Sequence, residues 1–94
     1  MGHILIKLKT KPQIENCYLV YSTIVDAPIT YGATKKQIIN WYKKEYGRQG
    51  LEGMDRRFEK AEDDNFVKSV ICLNRAGENE KHISYKKMIQ RYCI

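Results

Sequence analysis

The chain has 94 residues, 43% of them apolar and 30% charged, with a formal net charge of +6 at pH 7. That length supports a single compact domain over residues 1–94 and excludes a second core, while the balanced composition excludes extended disorder. No apolar run approaches the roughly 20 residues of a membrane span, and the positive balance excludes an acidic mimic of the DNA phosphate surface.

Ile4 to Thr10 alternates, with Ile4, Ile6 and Leu8 on one face and Lys7 and Lys9 on the other beyond Leu5, which predicts a half-buried strand. Lys11 to Asn16 supplies a turn in which Pro12 prevents further pairing, and Cys17 to Val25 follows as a denser, β-branched inner strand. So short a connection cannot hold the crossover a parallel pair needs, so the two strands form a hairpin. Ser22 to Thr34 is then a polar corner broken by Pro28 and Gly32. Thr34-Lys-Lys-Gln37 matches a capping box and starts a helix that buries Ile38, Trp41 and Tyr42 and stops at Gly47.

Gly50-Leu-Glu-Gly53 breaks the chain again, after which Met54, Phe58 and Ala61 recur at the spacing of a short surface helix. The rival reading is a third strand through Arg57 to Glu62, since a two-stranded sheet by itself is marginal. Asp63-Asp64-Asn65 caps a helix whose buried stripe is Phe66, Val67, Val70 and Ile71, ending at Ala76-Gly77. A last helix runs from Tyr85 to Tyr92, with Ser84 as its cap and Ile83 packed on Met88. The fold class is α+β: a small antiparallel sheet of two or three strands packed with three or four short helices.

Cys17, Cys72 and Cys93 are odd in number and widely spaced, so no disulfide framework or Cys-x-x-Cys motif exists. Cys17 and Cys72 lie in apolar runs and are expected to be buried. His3 and His82 have no Cys, Asp or Glu at metal-ligand spacing, and the acidic run Glu62-Asp-Asp64 lacks the alternating oxygens of a calcium loop, so neither a metal nor a cofactor is expected. No phosphate-binding glycine loop or nucleophile elbow occurs, and the expectation is a protein that is not an enzyme.

Two polar segments can bind. Ser22, Thr23, Thr30, Tyr31 and Thr34 surround the start of a helix, where free N–H groups and the helix dipole favour anions, and Arg75 in the Asn74 to Glu80 loop can add a guanidinium fork. The competing reading makes both segments plain corners, Asp26 closing a turn on its own backbone and Gly77 ending a helix in the left-handed conformation. Seven tyrosines among 17 basic residues also allow a stacking and phosphate-binding surface. Their dispersal favours core and interface roles.

The run Tyr18-Leu-Val-Tyr-Ser-Thr-Ile-Val-Asp-Ala-Pro28, together with Tyr46-Gly47-Arg48 and Asn74-Arg-Ala-Gly77, resembles small uncharacterised accessory proteins of bacterial viruses (bacteriophages). The resemblance carries over no functional residue. It implies a class: accessory proteins that act by binding, prominent among them inhibitors of host defence such as anti-CRISPR proteins and sponges for nucleotide signals. The leading expectation is therefore a non-catalytic, cytoplasmic protein of the infected host cell. Its partner is a host protein or an anionic ligand, a nucleotide or nucleic acid, with no membrane association and with self-pairing as an option. The alternative is a basic nucleic-acid-binding module, with Lys7, Lys9 and Lys11 near one sheet edge; a third reading is a small enzyme using His82 or Cys72.

Overall fold

The computed structural model describes residues 2–93. A three-stranded antiparallel sheet in the order β1-β2-β3 is formed by β1 (His3–Lys7), β2 (Tyr18–Ser22) and β3 (Ala27–Pro28). Four α-helices follow: α1 (Lys35–Tyr46), α2 (Met54–Glu62), α3 (Asp64–Ile71) and α4 (Tyr85–Tyr92), with 3₁₀ turns at Gly47–Leu51 and Glu78–Glu80. The α+β class holds.

The third strand comes from the corner after β2 and not from residues 57–62, which are helical. Pro28 has no N–H to give to a ladder and is tolerated there because β3 lies at the sheet edge. The backbone of β2 is bonded along both sides: Leu5 and Ile6 lie opposite Val20 and Leu19 on one side. On the other, Ile29 N–H donates to Val20 C=O at 2.9 Å, Thr30 Oγ1 accepts from Val20 N–H at 3.0 Å, and Ala33 exchanges two bonds with Tyr18.

The half-buried strand expected for β1 is instead buried on both faces, because helices cover both sides of the sheet. On one face Leu5, Tyr18 and Val20 pack with Ile38 and Tyr42 of α1 and with Met54, Phe58 and Ala61 of α2. On the other, Ile6, Leu8, Leu19 and Tyr21 pack with Val67, Val70 and Ile71 of α3, Met88 of α4, and Cys93. Lys7 tolerates its position by placing its ammonium 5.7 Å over the Tyr18 ring and 2.7 Å from Glu62 at the surface.

The caps are those the residues prescribe. Thr34 N–H donates to Gln37 Oε1 at 2.9 Å while Thr34 Oγ1 accepts from Gln37 N–H at 3.2 Å. Gly47 closes α1 at φ 66°, the left-handed region in which a side chain is strained. Asp63 Oδ1 accepts from Asn65 and Phe66 N–H, and Ser84 Oγ from Lys87 N–H. Thr34→Ala is therefore expected to lower stability by about 1 kcal/mol, whereas Lys36→Ala changes it by no more than a few tenths. Equal denaturation midpoints for the two variants would refute the cap.

Three local expectations fail at the end of α3. The helix stops at Ile71, not at Ala76-Gly77, because Asn74 turns back and its side-chain amide captures the Ile71 carbonyl. Gly77 is extended, with φ −81°, and the left-handed residues are Asn79 and Glu80. A Cβ on Gly77 would sit 2.8 Å from the Ile83 side chain and from the Lys81 carbonyl, so close approach is what calls for glycine there. Cys72, just past the helix, is exposed and not buried, whereas Cys17 and Cys93 are buried. Trp41 is half-buried at the margin of the first cluster, not at its centre.

Candidate functional site

The six residues expected to share one anion site lie in separate places. Ser22 is buried and its Oγ accepts from Ile24 N–H at 3.3 Å, the bond of a tight corner. Thr23 is exposed, its N–H bonded to the Gly2 carbonyl at 2.6 Å. Thr30 spends its hydroxyl on Val20, and the exposed Tyr31 ring stands 5.8 Å from that of Tyr92. Arg75 does meet this corner, but through its backbone: its N–H donates to the Asp26 carbonyl at 2.6 Å. Its side chain is exposed beside Cys72, Leu73, Asn74, Glu80 and His82, on a shallow depression that Thr34 does not line. Asp26 sits at φ 53°, so the segment is a corner that also supplies an edge strand.

Thr34 instead lines a cleft of about 380 Å³ at the start of α1, together with Lys7, Lys35, Lys36, Gln13 and Glu15, over a floor of Ile14, Cys17 and Tyr18. Its chemistry follows from its parts. The capping box satisfies the Thr34 and Gln37 N–H groups, and Ile38 N–H bonds the Thr34 carbonyl, which leaves the first-turn N–H groups of Lys35 and Lys36 outside the helical ladder. The Lys35 ammonium lies 4.7 Å over the Phe58 ring, and Phe58 meets Tyr18 edge to face at 5.3 Å.

Lys7 and Glu62 hold each other charged. Their mutual hydrogen bond raises the Lys7 ammonium above its ordinary value and lowers the Glu62 carboxyl below its own, with burial opposing both. Burial pushes the Cys17 thiol up, the Lys7 charge opposing, so it lines the cleft as a protonated, apolar group. With Lys7 partnered by Glu62, the cations facing solvent are Lys35 and Lys36, against the single carboxylate of Glu15. The arrangement suits an anion that also offers a flat or apolar part.

Sequence reasoning named Thr34 but not Lys7, Lys35 and Lys36, which line the same cleft. The signal was present in Lys35-Lys36 directly after the cap, but the Lys7 contribution depends on β1 pairing with β2, which sets Lys7 opposite Tyr18 under α1. Nor did it place His3, whose Nδ1 is hydrogen-bonded to the Tyr46 hydroxyl and whose ring meets Trp41 edge to face at 5.5 Å. His82 is exposed. Among the described residues, no three His, Cys, Asp or Glu side chains converge as metal ligands, and no helix is long and apolar enough to cross a membrane. No family model, curated protein or solved structure matches the chain.

Proposed function

We propose that the protein is a non-catalytic accessory protein of the bacteriophage type that works by binding, and that it sequesters a phosphate-bearing nucleotide signal of host defence in the host-cell cytoplasm. The observation that carries the reading is the cleft at the start of α1, which Lys35 and Lys36 line together with Thr34, Ile14, Cys17 and Tyr18. A phosphate takes the N–H groups and ammoniums, and a base rests on the Tyr18 and Ile14 side.

Titration of mononucleotides and cyclic dinucleotides into the protein tests this. Binding is expected, and the double variant Lys35→Glu, Lys36→Glu should weaken it by about tenfold or more, since each charge-assisted bond contributes about 1.5 to 3 kcal/mol. Arg75→Ala should leave it unchanged, because Arg75 lines a separate depression. Affinity that survives the double charge reversal overturns the reading. The basic nucleic-acid module makes a different forecast: binding to single- or double-stranded DNA that falls steeply as salt rises.

A second reading, masking of a host defence protein, is favoured by one observation. Ile24, Val25 and Leu73 are 82%, 57% and 69% exposed, and the Arg75 to Asp26 backbone bond ties their two loops together. Capture of a defence protein by the wild type that is lost in Ile24→Asp, Leu73→Asp supports it, and capture indifferent to that change removes it.

A further inference from the structure

A second cleft, sharing no lining residue with the first, opens on the far end of α1. It has a volume of about 350 Å³ and is walled by His3 of β1, Tyr42 and Tyr46 of α1, Gln49 and Glu52 beyond it, and Arg57 of α2. It is built by a close approach: Gly50 packs so tightly on α1 that a Cβ there would overlap the Tyr42 carbonyl, which brings the Gly47–Leu51 turn against the helix.

Two of its lining residues carry polar groups that lack the partners folding ordinarily provides. Tyr42 is 1% exposed, yet its hydroxyl has no hydrogen-bond partner, although a buried phenol without one is destabilising. Burial pushes the Tyr42 hydroxyl up, while the neighbouring Arg57 charge opposes and Tyr46 adds to the rise. Arg57 lies 4.9 Å over the Tyr42 ring and gives one nitrogen to the Glu52 carbonyl at 2.7 Å, but among the described residues it has no carboxylate partner. The rest of its planar fork is free to donate.

The other walls are flat. His3 and Tyr46 are hydrogen-bonded to each other and stand as rings, with centroids 5.9 Å apart. Arg57 and Glu52 cancel in charge, so the cleft favours a neutral ligand over a phosphate. A planar, neutral molecule with two adjacent acceptors on one edge and donors on the next matches these walls. We propose that this cleft binds a guanine base, Arg57 donating to its O6/N7 edge, Glu52 accepting from its N1–H and exocyclic amine, and an aromatic ring stacking on its face.

Guanosine, which carries no phosphate and therefore avoids the lysine cleft, is the probe. Trp41 is the only tryptophan of the chain, and its ring lies 5.5 Å from His3 and 6.3 Å from Tyr46, so its fluorescence reports occupancy directly. Guanosine should quench Trp41 saturably, and adenosine should bind about tenfold or more weakly because it offers a donor where Arg57 needs an acceptor. Arg57→Lys should weaken guanosine binding by a similar factor. Tyr42→Phe should leave the melting midpoint equal or higher, since it deletes an unpartnered buried hydroxyl. Lys35→Glu, Lys36→Glu should not alter guanosine affinity. Absence of saturable quenching up to millimolar guanosine, equal affinity for adenosine, or sensitivity to the lysine variants and not to Arg57→Lys each overturns the proposal.

Discussion

Val70→Asp is expected to abolish cooperative folding, whereas Lys68→Asp on the same helix leaves the fold intact. Val70 is 6% exposed on the face of α3 that packs with Ile6, Leu19, Tyr21 and Met88. The substitution forfeits roughly 1.5 to 3 kcal/mol of apolar burial and places a carboxylate where none of its oxygens has a partner, which costs several kcal/mol more. At 0.05 to 0.15 kcal/mol per residue, a chain of this size has about 5 to 14 kcal/mol in total, so the variant loses most or all of it. Lys68 is exposed, and its reversal removes only a favourable charge in the last turn of α3, about 0.5 kcal/mol. Near-ultraviolet circular dichroism with thermal melting separates the two. A sharp, wild-type-like transition in Val70→Asp would show that α3 does not press this face onto the sheet.

Asn74→Ala should be nearly as damaging, and for a polar reason. Asn74 is 2% exposed, and its amide nitrogen donates to the carbonyls of Ile71 and Ile83 at 2.5 and 2.9 Å. Its oxygen accepts from Ile83 N–H at 3.0 Å and from Ala76 N–H at 3.3 Å. One side chain therefore ends α3 and holds the returning segment before α4. Its loss removes four bonds and strips the Ile83 and Ala76 groups of them, the Ile71 carbonyl keeping the Asn74 N–H at 3.0 Å, and at about 1 kcal/mol for each bond the expected destabilisation is about 3 to 4 kcal/mol, or a drop of roughly 15 to 25 °C in Tm. Asn65→Ala, at an exposed position in α3 where only the backbone N–H is bonded, should stay within about 0.5 kcal/mol. A loss below about 1 kcal/mol for Asn74→Ala would mean that the 71–83 segment is held by its apolar contacts alone.

The binding predictions rest on two clefts at opposite ends of α1, and they part cleanly. Charge reversal at Lys35 and Lys36 acts on phosphate-bearing ligands; Arg57→Lys acts on an uncharged base. A guanine nucleotide that lost affinity to both sets would occupy both clefts in separate binding events, visible as a stoichiometry of two.

Much of this protein is legible in its sequence because much of it is local. Thr34 with Gln37, Asp63 with Phe66 and Ser84 with Lys87 each satisfy backbone groups within three residues, so the starts of α1, α3 and α4 could be read directly. The i, i+4, i+7 spacing of Met54, Phe58 and Ala61 likewise specified a helix and its buried stripe. Tertiary structure decided what depends on distant partners. Leu5 and Lys7 count as a solvent face by alternation alone, and only the docking of α1 and α2 on that side buries them. The third strand exists because residues 27–28 fold back on β2, and α3 ends early because Asn74 reaches Ile83, nine positions on. Thr34 was separated from Arg75 and joined to Lys7 because α1 lies on one face of the sheet and α3 on the other. The capping and periodicity of each element follow from bonds a few residues long and are written in the sequence; which side chains share a cleft follows from the layer order of helices around the sheet, set by burial of apolar surface that has no preferred partner until the chain is compact.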